Sequence, residues 1–120
     1  MMLKLHNTEK ISIAELADPD IIISSLQDAV DLLGETYFSG CSSIIMKEEN
    51  LHPDFFKLHT KLAGDILQKF SNYQMKLAIV GDFSKYQSKS LQEFIGESNR
   101  GNRVFFVGNL EEAVSMLTGK

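Results

Sequence analysis

Lys76-Leu77-Ala78-Ile79-Val80-Gly81 is the stretch that decides the fold of this 120-residue chain. Four consecutive apolar residues between a lysine and a glycine have the length and continuity of a strand that is buried on both faces. Two further runs have the same character, residues 42–47 around Ile44-Ile45-Met46 and the stretch Val104-Phe105-Phe106-Val107. Such strands are typical of a parallel sheet that is covered by helices.

Segments with helical periodicity alternate with these strands. Ser24 or Ser25 caps the first helix, and Gly34 lies near its end. Its inward face consists of Leu26, Ala29, Val30 and Leu33. Pro53 suits the first turn of a second helix, which we expect to extend to about residue 71 and to cover the sheet. The inward face of this second helix consists of Phe55, Phe56, Leu62, Ala63, Ile66, Leu67 and Phe70.

Glycine and capping residues predict the packing of the second helix and the ends of the third and fourth helices. Gly64, inside the second helix, predicts a close approach of that helix to the sheet. Ser88 or Ser90 caps a third helix, and Asn99 with Gly101 predicts a left-handed exit from it. A fourth helix begins after Asn109, has Glu112 at capping-box spacing, and presents Ala113, Val114 and Leu117 on one face.

The N-terminal residues complete the order of elements. Leu3 and Leu5 alternate with polar residues before a turn at residues 7–10, and Ile11 and Ile13 alternate after it, which predicts a β-hairpin. The order is therefore ββαβαβαβα. Crossover helices make their flanking strands parallel, so we expect one α/β domain over residues 1–120, with a single open mixed sheet and a parallel core.

Composition excludes several classes of function. Apolar residues make up 43% and charged residues 23% of the chain, as in ordinary globular proteins. The net charge of −4 disfavours nucleic-acid binding, and no apolar run is long enough to span a membrane. The N-terminus lacks an export signal, so a cytoplasmic location is expected. Cys41, the only cysteine, is interpreted as a small buried apolar residue. The histidines show no metal-ligand spacing, so no metal is expected, and no cofactor is expected either.

Four stretches of the second half carry a resemblance to a known family. They are Gly64-Asp65-Ile66-Leu67-Gln68-Lys69-Phe70, Lys76 to Phe83, Ser88-Lys89-Ser90-Leu91 and Phe94 to Gly101. Together they resemble a family of small bacterial proteins known only as a domain of unknown function. The similarity extends over nearly the whole chain, and it implies no activity.

The order of elements is also similar to that of STAS domains, small cytoplasmic regulatory modules. This second resemblance implies a regulatory role and a phosphorylatable Ser or Thr before the first main helix. Ser24 and Ser25 occupy a comparable place, but Leu26 follows them where that family often has glycine, and no matching aspartate directly precedes them. Helix capping is the simpler role for both serines.

The carboxyl ends of the parallel strands select the candidate site, because ligands of open α/β sheets bind there. Residues 47–52 and 81–90 follow two neighbouring strands, so we expect these loops to meet. The second loop offers cations, hydroxyl groups and a helix N-terminus, the ingredients of a partner or anion site. The candidate binding residues are Glu49, Asp82, Lys85, Tyr86, Ser88, Lys89 and Ser90.

The sequence gives weaker indications of catalysis than of binding at these loops. Glu48 or Glu49 with Asp82 could act as a general acid and base, but no Walker A loop or GxGxxG motif occurs. The sequence therefore favours a non-enzymatic cytoplasmic regulatory or protein-interaction module, whose partner is a protein or a small anionic molecule. A small enzyme or a small-molecule sensor that uses the same strand ends is the alternative. Nothing in the sequence indicates an oligomeric state.

Overall fold

One sheet of five strands organises residues 3–119, the part of the chain that the computed structural model describes. The strands are β1 (Leu3–Asn7), β2 (Ser12–Leu16), β3 (Ser43–Lys47), β4 (Lys76–Val80) and β5 (Val104–Val107). The helices are α1 (Leu26–Phe38), α2 (Leu62–Asn72), α3 (Lys89–Arg100) and α4 (Leu110–Leu117). This order agrees with the predicted ββαβαβαβα.

The strands lie side by side in chain order, β1-β2-β3-β4-β5. β1 pairs with β2 in the antiparallel direction, whereas β2, β3, β4 and β5 run parallel to one another. In the centre, Ile44 is opposite Leu77, and Leu77 is opposite Val104. The predicted fold class, a single open mixed sheet with a parallel core and an N-terminal hairpin, is confirmed.

Both faces of the sheet are buried, which explains why the central strands are continuously apolar. On one face, Ile44 and Leu77 pack with buried residues of α1, α2 and α3. On the other face, Ile45, Ala78 and Phe105 pack against Ala113 and Leu117 of α4. Successive residues of one strand therefore belong to two different hydrophobic clusters.

The segment predicted as one long helix from Pro53 is divided. Two 3₁₀ turns, Pro53–Phe56 and Leu58–Thr60, come first, and α2 starts only at Leu62. The break lies at Lys61, whose φ of 66° is left-handed and incompatible with a continuous right-handed helix. The hydroxyl of Thr60 also donates to the carbonyl oxygens of Asp54 (2.7 Å) and Lys57 (2.8 Å), which stabilises the tighter turns.

The predicted inward faces of α1 and α2 are correct only in part. Ile66 and Phe70 of α2 are fully buried, but Leu62 and Leu67 are half-buried at the rim of the core. No neighbouring atom lies within 4 Å of the position that a Cβ on Gly64 would take, so the predicted close approach there is wrong. In α1 the buried residues are Ala29, Leu32, Leu33 and Thr36.

The ends of α1 and α3 also differ from expectation. α1 continues past Gly34 to Phe38, and Gly40, with a φ of 79°, supplies the left-handed residue after it. Gly101 after α3 is not left-handed. Asn99 instead extends its amide to β5, where it donates to the carbonyl oxygen of Phe106 (3.1 Å) and accepts from its N–H group (2.7 Å).

Two further features of the fold are the burial of Cys41 and the length of the helices. Cys41 is buried as predicted, and burial raises the pKa of its thiol. Within residues 3–119 no helix has both the length and the apolar character needed to cross a bilayer.

Candidate functional site

Three connections meet beyond the carboxyl ends of β2, β3 and β4. They are residues 17–25, residues 48–61 and residues 81–88, which lead into α1, α2 and α3. The last two meet as predicted, because β3 and β4 are neighbours in the sheet. The first is held against the second by hydrogen bonds that the sequence did not predict.

Asn50 makes those hydrogen bonds. Its side chain is buried, and its Nδ2 donates to the carbonyl oxygens of Asp18 (3.1 Å) and Ile21 (2.9 Å). Its Oδ1 accepts from the N–H group of Lys47 (3.0 Å), which fixes the turn in which Asn50 itself lies. A short parallel bridge between Ile23 and Leu51 continues the same attachment. A buried amide that is satisfied in this way holds two connections in one arrangement.

Gly81 allows the third connection to approach closely. A Cβ at this position would lie 2.7 Å from both Cβ and Oε1 of Glu48, well inside van der Waals contact. The absence of a side chain therefore lets Glu48 lie directly over the end of β4. The sequence suggested only that this glycine ends the strand.

The carboxylate of Glu48 is the centre of the site. Its Oε2 accepts hydrogen bonds from the hydroxyl of Tyr86 and from Nζ of Lys85, the latter at 2.8 Å. The side chain of Glu48 is only 12% exposed, whereas that of Lys85 is 57% exposed. Burial, together with the hydrogen bond to Glu48 and its negative charge, raises the pKa of Tyr86.

Aromatic packing fixes the ring of Tyr86. It stacks on Phe56 with ring centroids 4.9 Å apart and an angle of 16° between the planes. Gln92 of α3 holds the backbone of the same connection, because its Nε2 donates to the carbonyl oxygens of Phe83 and Tyr86, each at 2.8 Å. Tyr86 therefore joins the connection after β4 to the one after β3.

These contacts enclose an open pocket of about 450 Å³, which we call the Glu48 pocket. Its apolar wall comes from the first two connections and its polar side from Glu48 and its neighbours. The lining residues are Ile22, Glu48, Glu49, Leu51, Pro53, Phe56, Lys85 and Tyr86. The pocket thus combines an apolar wall with a small set of polar groups, as ligand sites do.

The predicted site residues divide into two groups. Glu49, Lys85 and Tyr86 line the Glu48 pocket. The other four lie outside its lining and are exposed: Asp82, Ser88, Lys89 and Ser90. Sequence reasoning considered Glu48 only as a possible acid or base, and it missed the roles of Asn50 and Gln92.

Asp82 and Ser88 have capping roles. Oδ1 of Asp82 accepts from the hydroxyl (2.6 Å) and the N–H group (3.1 Å) of Ser84, and these bonds lower the pKa of Asp82. The hydroxyl of Ser88 accepts from the N–H group of Leu91, so Ser88 rather than Ser90 caps α3. Asp82 therefore bonds within its own turn and not with Glu48.

Ser24 and Ser25 both bond to Asp28. The hydroxyl of Ser25 accepts from the N–H group of Asp28 at 3.1 Å and caps α1. The backbone N–H and the hydroxyl of Ser24 donate to Oδ2 of Asp28 at 3.0 and 3.1 Å, and the backbone bond is the main cause that lowers the pKa of Asp28. Phosphorylation of either serine stays a prediction.

A second polar cluster lies on the opposite face of the sheet from α1, α2 and α3. Oε1 of the buried Glu15 is 2.8 Å from Nε2 of His6, and its Oε2 is 3.9 Å from Nζ of Lys47. In the described part of the chain, no group of three or more His, Cys, Asp or Glu side chains could hold a metal ion. Glu15 thus joins β1 and β3 through a hydrogen bond with His6 and an ion pair with Lys47.

The comparisons with known proteins concern the whole chain. One family matches residues 8–117, and its description reads "Domain of unknown function (DUF4180)". The chain belongs to this family. The resemblance to a domain of unknown function is thereby confirmed, and the description of the DUF4180 family names no activity. No curated protein and no solved structure matches the chain significantly. A bacterial origin and the STAS-like topology stay predictions.

Proposed function

We propose that this chain is a non-enzymatic regulatory module that senses a small molecule bound in the Glu48 pocket. One observation carries the proposal: three connections from adjacent strands meet around one concavity of about 450 Å³. Pockets that bind small molecules have this size and this mixture of an apolar wall with few polar groups. They also lie where parallel strands end.

The chemistry at Glu48 supports binding more than catalysis. A general acid at neutral pH needs a pKa near 7, whereas the environment of Tyr86 raises the pKa of its phenol further above that range. The oxygen of Glu48 that faces Tyr86 and Lys85 already accepts from both groups. Asp82, the predicted partner in acid and base chemistry, bonds to Ser84 instead. Glu48, Tyr86 and Lys85 are therefore arranged to hold one another in place.

A cytoplasmic location belongs to the same proposal. Its support is the free thiol of Cys41, the only cysteine of the chain. Unpaired cysteines persist in reducing compartments. The order of elements is similar to that of STAS domains, and this similarity supports the regulatory part of the proposal.

Filling the pocket tests the proposal. Ile22 is 45% exposed at the pocket wall, so Ile22→Trp places a large ring in the concavity without replacing a core residue. NMR titration with a fragment set of small amines, carboxylates and alcohols is the measurement. We expect shifts of the amide signals of Glu48 and Tyr86 in the wild type, and a loss of at least about tenfold in affinity in Ile22→Trp. Binding that Ile22→Trp leaves unchanged would contradict the proposal.

A protein-interaction module is the second candidate, and an exposed aromatic patch favours it. Phe38, at the end of α1, is 90% exposed beside Tyr37 and close in sequence to the reversal of the chain before β3. The rings of Tyr37 and Phe38 are 6.2 Å apart in an edge-to-face arrangement. Aromatic side chains are enriched at protein interfaces. The aromatic patch lies at the amino ends of the strands, away from the Glu48 pocket.

Paired variants separate the two candidates. Cross-linked complexes from native cells are compared for wild type, Phe38→Ser and Ile22→Trp. A partner that is lost in Phe38→Ser and kept in Ile22→Trp would favour the interaction module. A small molecule that co-purifies with wild type and with Phe38→Ser, but not with Ile22→Trp, would favour the sensor.

A further inference from the structure

We propose that the Glu48 pocket selects a cationic ligand, an ammonium group on an apolar body, and that Lys85 occupies the position of this ammonium in the free protein. The inference rests on the proposed function, because it names the chemistry of the ligand for the same pocket. The cationic ligand proposed here differs from the partner that the sequence predicted, which was a protein or a small anionic molecule. Four features of the pocket support it.

The first feature is the sign of the charge. The ionic groups that line the pocket are the carboxylates of Glu48 and Glu49 and the ammonium of Lys85, so negative charge is in excess by one. The whole chain carries a net charge of −4. An anionic ligand would approach two carboxylates, and Lys85, the only cation of the described lining, is already paired with one of them at 2.8 Å. The field at the pocket therefore favours a cation.

The second feature is that Glu48 and Lys85, the two members of the ion pair, differ in their exposure to solvent. Glu48 is almost fully shielded from solvent and is held by Tyr86 and by its contact with Gly81. A shielded carboxylate requires a cation or strong donors beside it. Lys85 is mostly exposed, and an exposed lysine leaves an ion pair at little cost. A ligand ammonium can therefore replace Lys85, while Glu48 and Tyr86 stay in place.

The third feature is the aromatic surface next to the cation position. Nζ of Lys85 lies 5.5 Å from the centroid of the Tyr86 ring, within the range of cation–π attraction. This ring is fixed by its stacking on Phe56. The position thus offers two kinds of attraction to a positive charge, a carboxylate and an aromatic face.

The fourth feature is the apolar wall, which fits the body of the ligand. Ile22, Leu51, Pro53 and Phe56 line the pocket beside the carboxylates. A small hydrated inorganic cation would leave this surface exposed to water, whereas an amine with a hydrocarbon or aromatic body would cover it. The structure therefore points to an amphipathic amine.

Three probes of the same shape and different charge test the inference. They are phenethylamine, 2-phenylethanol and 3-phenylpropionate, titrated by NMR into the wild type, Lys85→Ala, Glu48→Gln and Lys89→Ala. Lys89 is the matched control, because it is an exposed lysine at the start of α3 and lies outside the pocket lining. Denaturation midpoints show that each variant is folded. Glu48→Gln keeps the length of the side chain and an oxygen that can accept from Tyr86, and it removes the negative charge.

We expect phenethylamine to bind in the pocket more tightly than the alcohol, and the carboxylate to bind most weakly. Lys85→Ala removes the internal competitor and should tighten binding of the amine about threefold to tenfold. Glu48→Gln should weaken it at least about tenfold, because a charged acceptor is lost. Lys89→Ala should leave the affinity unchanged within about twofold.

Other outcomes separate this inference from the proposed function. Tighter binding of the carboxylate, with its loss in Lys85→Ala, would overturn the cation inference and leave the pocket as a sensor site. Amine binding that Lys85→Ala does not strengthen would overturn the role of Lys85. If none of the probes shifts the pocket amides in any variant, the cation inference and the sensor site both fail.

Discussion

Residues 48–61 and residues 81–88 follow adjacent parallel strands, yet they are built in different ways. The first connection contains the buried Asn50, two buried phenylalanines and three 3₁₀ turns. The second is mostly exposed, and Phe83 is the one residue of this described segment that is buried. The first is therefore part of the scaffold, and the second brings a movable lysine and a tyrosine to it. Stability should depend more on the first connection, whereas the second supplies the lysine that competes with a ligand for Glu48.

Asn50→Ala should produce the largest effect and directly tests the role of the first connection. It removes three hydrogen bonds and leaves the carbonyl oxygens of Asp18 and Ile21 without their donor. We expect a loss of about 3 kcal/mol of unfolding free energy in chemical denaturation. Asn102→Ala, at an exposed turn position, is the control and should change stability by less than about 0.5 kcal/mol. Similar losses for both would show that residues 48–61 are not scaffold.

Gly81→Ala should have the next largest effect, at the point where the two connections touch. A new Cβ would collide with Glu48 at 2.7 Å, and overpacking of this kind costs about 1–3 kcal/mol. Gly64→Ala is the matched control, because open space surrounds that helical glycine. It should raise stability by about 0.4–1 kcal/mol. Thermal or urea denaturation of both variants measures the difference, and a neutral Gly81→Ala would refute the close approach of Glu48.

Tyr86→Phe should have a smaller effect that depends on pH. It removes the hydrogen bond to Glu48 and keeps the stacking on Phe56, so we expect a loss of about 1 kcal/mol at pH 7. The folded-state pKa of Tyr86 is raised above the unfolded phenol value of about 10. Its stabilisation is therefore present below that pH and is lost as pH rises through the folded pKa. The difference in unfolding free energy between wild type and variant should be constant from pH 6 to pH 9. A difference that already falls below pH 9 would contradict this assignment.

Lys85→Ala should have the smallest effect on stability, although it changes ligand binding. Lys85 is the exposed member of the ion pair, so its own removal should change the unfolding free energy by less than about 1 kcal/mol. Glu48 keeps the hydroxyl of Tyr86 as a donor. A loss above about 1.5 kcal/mol in urea denaturation would place Lys85 in the scaffold and remove the contrast between the two connections.

The fold was predictable because its signals are local and agree with one another. Continuous apolar runs indicated the central strands, and Ser88 and Asn109 marked two helix starts that the structure confirms. The break at Lys61 was not predictable, because a lysine at positive φ has no signature in the sequence. Phe55 and Phe56 are buried as the helical spacing suggested, but in a different local structure.

The meeting of the two connections was predictable, but the side chains that line the pocket between them were not. The rule about strand ends located both connections, and Lys85 and Tyr86 were correctly assigned to the place where they meet. Sequence could not distinguish Glu48 from Glu49, because adjacent residues point in different directions in a tight turn. Asn50 bonds to carbonyl oxygens 29 and 32 residues away, and such contacts have no local signal.

The amide of Asn99 has a consequence for assembly. By occupying both backbone groups of Phe106, it takes up part of the outer edge of β5, where a further strand would have to pair. β1, at the other edge, bonds to β2 alone among the described strands. A sheet that can grow from one side only forms at most a closed pair of molecules, because continued growth requires two open sides. By hindering strand addition at β5, one asparagine thus disfavours polymerisation of the sheet from edge to edge.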